Sequence, residues 1–320
     1  MSDTNKRSNV FVVPSNAEEQ RLDNFLRKQL GLPKSAIYRL VRKGQVRVNG
    51  GRKKPDYRLS TDDEVRVPPH LHGGKQNATA SIDIPPKVLA KVAESVLLET
   101  EDFLIVNKPA GMVVHGGSGL KWGLIDAIKQ VNPQLPDLEL AHRLDRDTSG
   151  CLFLAKHRRA LNQFQSQQRT PAFKKIYRCL LDGHWNKAKT VRRALDTANR
   201  ADGERHVVVA EVGSGKEAIS HFTPLAHATL SDGSAVTDMQ VALETGRTHQ
   251  IRVHSQSEGH PILGDDRYGD EAANAAAAID GFKRLQLHAW KLEFTWVYND
   301  GRQQAVAVEA PLEFSLAALN

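Results

Sequence analysis

Cysteine is almost missing from this chain: two residues in 320, Cys151 and Cys179, each inside an apolar strand-like stretch. Two thiols so placed build neither a disulfide framework nor a thiolate metal site, and they suit a reducing compartment such as the cytoplasm. No apolar run nears the ~20 residues that cross a bilayer. The polar opening, Met1 to Asn9, lacks the apolar core of a secretion signal. A membrane partner is therefore not expected. Phosphate-cradle chemistry is also poorly provided for. Gly116, Gly117 and Gly119 precede a helical stretch, but the run has neither the Walker lysine nor the Rossmann spacing, so no nucleotide cofactor is expected. Thirteen histidines occur without any His-Glu-x-x-His pattern, and His249 and His254, in sequence of alternating polarity, read as opposite faces of a strand. No metal is expected. Gly213–Ser214–Gly215 is an incomplete hydrolase elbow in polar context.

What the chain does have is charge in one place. Residues 1–69 carry 15 Lys and Arg against 8 Asp and Glu, which accounts for the whole net charge of +7. Lys34 to Arg58 holds nine basic residues against Asp56 alone. A basic excess confined to one small segment is the footprint of a polyanion binder, most often nucleic acid.

The length suggests about two domains. Apolar spacing over Glu18–Leu30, closed by Gly31, predicts a helix; Pro33 opens a second that stops at Gly44. Gln45–Val48, the turn pair Asn49–Gly50, and Glu64–Val67 read as strands of a hairpin unit. Residues 1–19 read as an N-terminal tail and 69–95 as a linker, with a short helix over 87–95. From 96 to 320 strands outnumber helices and no βαβ rhythm appears, which predicts an α+β domain on mixed or antiparallel sheets. Met112–His115 reads as a resumed strand, Leu124–Gln130 and His157–Arg169 as helices, and the Ala-rich Glu271–Asp280 as a helical or loose insertion.

The chemistry concentrates in Ala141–Gly150, where His142, Arg143, Asp145, Arg146 and Asp147 crowd against the apolar run Cys151–Ala155. Charge beside a core strand is costly unless it is used. Arg143 and Asp145, two apart, share a face in extended chain. Taken alone, the stretch is equally a surface loop with a local ion pair.

Residues 20–68 resemble the S4 RNA-binding domain, through R-L-D-N-F-L, G-L-P-K-S, R-K-G-Q-V-R-V-N-G and D-D-E-V-R-V-P. The stretches H-R-L-D-R-D-T-S-G, K-K-I-Y-R-C, T-G-R-T-H-Q-I-R-V-H and R-L-Q-L-H-A together resemble the pseudouridine synthases of the RluA/RluC/RluD family. The stretches V-H-G-G-S-G-L and D-D-R-Y-G-D point within it to members acting on the large ribosomal subunit. Gln286, where the family usually has an aromatic, and the Ala-rich insertion depart from its pattern. The resemblance implies a small S4 domain of ααβ type before a larger synthase domain. It implies isomerisation of uridine to pseudouridine in RNA, most simply 23S rRNA or an assembling ribosomal subunit, by a monomer without cofactor. It further implies Asp145 as the catalytic carboxylate, Arg247 as its cationic partner, and Tyr177 as the ring stacked on a flipped base. Arg143, His142 and Leu287 then form the flipping pocket, and Lys34, Arg39, Arg42, Lys43, Arg47, Arg52, Lys53 and Lys54 the RNA-binding surface. Two rival classes remain: a non-catalytic S4-type RNA binder, and a carboxylate-based nucleoside hydrolase.

Overall fold

The structure is a computed structural model and describes residues 9–71, 83–116, 120–199 and 205–316. The chain divides into two compact units, Met1–Asp83 with His157–Arg159, and Ile84–Lys156 with Ala160–Asn320.

The first unit comprises β1 (Val10–Val12), α1 (Leu22–Leu30), α2 (Lys34–Arg42), β2 (Arg47–Val48) and β3 (Glu64–Arg66), with antiparallel strand order β1-β3-β2. Leu22, Phe25, Leu26 and Leu30 of α1 meet Ile37 and Val41 of α2 over Val46, Val48, Leu59 and Val65. Gly31, at φ 64°, takes the left-handed turn that ends α1. Asp23 ties the two helices: it accepts from Arg21 at 3.0 and 2.9 Å and from the Tyr38 hydroxyl at 3.0 Å. The Arg21 hydrogen bond is the main reason its carboxyl sits below the ordinary range. Two expectations need correction here. α1 begins at Leu22 and not Glu18, and Val10–Val12, expected as tail, pairs with Glu64–Arg66. Three residues are too few for alternation to reveal a strand.

The second unit opens earlier than residue 96. α3 (Pro86–Ala93), expected within the linker, belongs to it, since Val92 is buried there. It is followed by β4 (Val96–Glu99), β5 (Phe103–Lys108), α4 (Leu124–Val131), β6 (Glu139–Leu140), β7 (Ser149–Ala155), α5 (Arg158–Gln167), β8 (Lys174–Asp182), β9 (Lys189–Arg192), β10 (Leu195–Asn199), β11 (Arg205–Val209), β12 (Ile219–Thr229), β13 (Ala235–Leu243), α6 (Gln250–Ser257), α7 (Glu271–Ile279), β14 (Leu287–Val297) and β15 (Gln303–Glu309). Met112–His115 forms no strand. The main sheet runs β4-β5-β7-β14-β8-β13-β12-β9, with β6 on β7 and β15 on β14; β10 and β11 pair separately. Every pairing in that sheet is antiparallel except β7 with β14, so the α+β architecture on a mixed sheet holds.

The parallel junction lies at the centre of the sheet. His288 and Ala289 stand beside Ser149 and Gly150. Gly150 has φ 107°, and a side chain there would place Cβ 2.2 Å from the Ala289 carbonyl oxygen, so only glycine allows the approach. β7 is buried along its whole length, as a strand covered on both faces must be. Phe103, Phe153, Phe164, Phe294 and Trp296 form one aromatic cluster beneath it.

Candidate active site

The loop between β6 and β7 opens onto a cavity of about 730 Å³, lined among others by Arg143, Asp145, Tyr177, His249, Arg252 and Leu287. Buried polar groups hold this loop. Lys108, fully buried, donates to the carbonyls of Pro109, Met112 and Arg146 at 2.9, 2.8 and 2.8 Å. Three acceptors match the three donors of an ammonium. Burial pushes this lysine down to about 7, against the pull of Asp147 and Asp145. Beyond the loop, the Ser149 hydroxyl meets His288 Nδ1 at 2.8 Å.

His142 serves the same purpose. Its Nε2 accepts the Phe153 backbone N–H at 2.9 Å, and its ring stacks on Phe164 with centroids 5.4 Å apart. Burial, aided by Lys175, drives it down to about 3, so the ring stays neutral. It lines the cavity, as a flipping-pocket residue would, with its Nε2 engaged by backbone.

Asp145 faces two nitrogen donors, His249 Nε2 at 3.8 Å and Arg252 Nη1 at 4.0 Å. Both distances are too long for hydrogen bonds, so the carboxylate lone pairs are not taken up by these partners. Arg252 is locked in turn. Its Nε and Nη2 donate to the two Asp265 oxygens at 2.7 and 2.6 Å, and its guanidinium lies 5.0 Å from the Tyr268 ring centre. Burial opposes its charge, and the Asp265 pairing overcomes burial and holds it above the ordinary range.

His249 caps α6 from a left-handed backbone, φ 54°. Its Nδ1 lies 2.8 Å from the Tyr268 hydroxyl, which accepts the Val207 N–H at 3.2 Å. The Tyr268 hydroxyl thus fixes the imidazole through Nδ1, and Nε2 is the ring nitrogen that faces Asp145. Burial keeps the ring below its usual pKa, with the Asp145 charge pulling the other way.

Arg247, expected as the partner of Asp145, does not reach it. It is exposed, and its Nε donates to the Glu217 carbonyl at 3.0 Å. The stretch around Ile251 and Val253, expected as a strand, is helix α6. Gln250 through Ser255 are all buried, so the helix shows no polar stripe to betray its period. The helical turn carries Arg252 to Asp145 and leaves His254 in the core, bonded to the Ser220 hydroxyl at 2.9 Å.

Tyr177 and Leu287 meet in one apolar cluster because Leu287 of β14 stands opposite Cys179 of β8, two residues on from Tyr177. Burial, and next the charge of Asp145, raise the Tyr177 phenol above its ordinary range. Arg143 is exposed at the mouth, and no hydrogen bond or ion pair engages it among the described residues. In the first unit Lys34, Arg39, Arg42, Lys43, Arg52, Lys53 and Lys54 are exposed and Arg47 half-buried. Lys34, Tyr38, Arg39, Arg42 and Lys43 line a groove along α2. Among the described residues no His, Cys, Asp and Glu cluster could hold a metal ion.

Residues 102–257 match the model of the RNA pseudouridylate synthase family, and residues 20–65 that of the S4 domain. The chain belongs to the RNA pseudouridylate synthase family. It is 44% identical over 312 residues to the ribosomal large subunit pseudouridine synthase C of Salmonella typhimurium, covering 96% of this chain and 94% of that one. The Escherichia coli K12 protein of the same name is 43% identical over 314 residues, covering 96% and 94%. A solved structure, human RNA pseudouridylate synthase domain containing 1, superposes with a TM-score of 0.56 at 27% identity, over 70% of this chain and 85% of that one. The synthase is therefore an isomerase with an S4 domain in front. Its sequence motifs brought Asp145, Tyr177, Leu287 and Arg143 to one cavity, but they did not reveal Arg252, His249 or Lys108. The G-D-D-R-Y-G-D stretch, which supplies Asp265 and Tyr268, was the one available signal for the Arg252 pairing.

Proposed function

We propose that this synthase converts uridines of large-subunit ribosomal RNA to pseudouridine, with Asp145 as the reacting carboxylate. The observation that carries this reading is the Asp145 carboxylate itself: set in a cavity, faced by His249 Nε2 and Arg252 Nη1, yet hydrogen-bonded by neither. The name shared by the bacterial relatives supports the choice of RNA. No helix among the described residues is long and apolar enough to cross a membrane, which accords with work in the cytoplasm on ribosomal RNA.

The reaction breaks the bond from C1′ to N1 and forms one from C1′ to C5. A proton leaves C5 and one is gained at N1, so the balance closes without oxidant, metal or second substrate. Asp145 supplies the lone pair that starts it, by adding to the ribose–base unit or by removing a proton from it. Arg252 steadies the carboxylate charge from a fixed position, because Asp265 leaves its guanidinium no freedom to close on Asp145.

The base must leave the RNA stack to reach this carboxylate. The Tyr177 ring, beside Leu287, gives it a stacking face worth ~1–3 kcal/mol. Because burial keeps the Tyr177 phenol protonated, loss of the C5 proton runs best through a water that the phenol orients. Arg143 fills the space the base vacates and meets phosphate or base edges. The exposed cations of α2 and the segment Arg47–Lys54 hold the RNA through its backbone.

Incubation with large-subunit rRNA, followed by carbodiimide-dependent primer stops, tests the reading. Stops at discrete uridines are expected. Free uracil would make the protein a nucleoside hydrolase. Unchanged RNA, bound but not modified, would leave only the S4-type binder.

A further inference from the structure

We propose that Lys175, with Arg169 and Arg143 at the cavity mouth, seats the backbone phosphate flanking the base held over Asp145; this rests on the RNA-isomerising reading above. The starting observation is a contrast among buried cations. Arg252 is neutralised by Asp265, Arg178 by Asp238, and Lys108 by three carbonyls. Lys175 is half-buried in the cavity wall, and burial depresses its pKa. Yet it has no hydrogen bond or ion pair among the described residues. A desolvated ammonium without a partner is unfavourable unless a ligand completes it.

The surroundings say that the missing partner is an anion. The cavity wall carries Arg143, Arg169, Lys175, Arg247 and Arg252 against two carboxylates, Asp145 and Glu244. Glu244 is engaged by His221 at 2.7 Å, and Asp145 lies within reach of His249 and Arg252. Neither is free for Lys175. The wall opposite is glycine: a Cβ at Gly246 would lie 3.3 Å from Lys175 Nζ, so the bare backbone there leaves the ammonium reachable.

Position then names the anion. Lys175 precedes Tyr177 by two residues on β8, so both side chains stand on one face of the strand, ~7 Å apart. That spacing is comparable to the reach from a pyrimidine ring to the phosphate of its own nucleotide. A base stacked on Tyr177 carries its phosphate toward Lys175, while the exposed Arg169 and Arg143 flank the entrance. A lysine acts here as a point charge, tolerant of phosphate orientation.

The test uses the full chain and a short RNA around a uridine first mapped by the carbodiimide assay. In wild type, K175Q and K175R, kcat and KM are measured against salt, and each phosphate flanking the target is replaced in turn by an uncharged methylphosphonate. K175Q should raise KM on the order of tenfold with kcat little changed. Its slope of log(kcat/KM) on log salt should be shallower by about 0.7, the loss of one single-strand phosphate contact. K175R should restore both. One methylphosphonate should cost wild type a similar factor and cost K175Q nothing. An equal methylphosphonate penalty in both proteins overturns the seat, as does a loss confined to kcat. If K175Q is poorly folded, the wild-type scan decides: no flanking phosphate whose neutralisation raises KM overturns the seat as well. A wild-type protein that makes no pseudouridine in any RNA overturns the parent reading and the seat with it.

Discussion

The two units handle positive charge in opposite ways. In the first, Lys34, Arg39, Arg42 and Lys43 stand in water along one helix face. In the second, Arg252 and Lys108 are buried, 5% and 0% exposed; Lys108 is matched donor by donor to three carbonyls, and Arg252 gives Nε and Nη2 to the two oxygens of Asp265. Exposed cations are screened and interchangeable, so they act by number on a polyanion. Buried, bonded cations act by position, and each loss is particular. The catalytic unit uses its buried charge to hold two loops, the one bearing Asp145 and the one between α6 and α7 that carries Asp265.

Arg252→Met is the sharpest way to break that contrast. It removes the cation nearest Asp145 and leaves Asp265 buried without its partner. A loss of about 3–5 kcal/mol of stability is expected in denaturant unfolding, together with near-complete loss of turnover. Stability within 1 kcal/mol of wild type would show that the pair is not positional.

Four wholly or partly buried histidines extend the contrast to pH. His142, His249, His254 and His288 are all held below the ordinary 6.5, each mainly by burial. The unfolded chain protonates them where the folded one does not, so unfolding takes up protons below about 6.5. Their contribution is therefore complete above that value and is lost as pH falls; for His142 the window runs down to about 3. Each costs up to about 1.4 kcal/mol per pH unit inside its window. Urea midpoints should fall from pH 7 to pH 5, and fall less in the His142→Gln variant. A flat midpoint would contradict the neutral assignment.

On the exposed side, neutralising Lys34, Arg39, Arg42 and Lys43 to Gln together should weaken RNA binding ten- to a hundredfold and flatten its salt dependence, with the thermal midpoint unchanged. An unaltered salt slope would show that α2 does not touch phosphate. The smallest effect is expected from Arg247→Met. Its guanidinium is exposed and bonded to a carbonyl, so a change of only a few-fold in turnover is expected, against the near-null Arg252→Met. The reverse ranking would restore Arg247 as the partner of Asp145.

What the sequence revealed follows the same division. Strands β5, β7 and β8 announce themselves by apolar runs or alternation, α4 and α5 begin and end near the expected boundaries, and the Ala-rich stretch, expected as helical or loose, is the helix α7. Asp145, Tyr177 and Leu287 lie inside recognisable stretches and do share a cavity. Helix α6 was hidden because it is buried on nearly every side, and Ile251 and Val253 mimic a strand. Arg252 is defined by a carboxylate thirteen residues on, and Lys108 by a carbonyl thirty-eight residues away. Pairings made through space leave no local period in the chain.

The most direct test of the central claim is turnover and RNA binding by Asp145→Asn beside Asp147→Asn. The substitution keeps size and removes only the charge, so Asp145→Asn should bind RNA within about twofold of wild type and make no detectable pseudouridine, while Asp147→Asn retains activity. An active Asp145→Asn protein, or a dead Asp147→Asn protein beside it, would mean that the reacting carboxylate lies elsewhere.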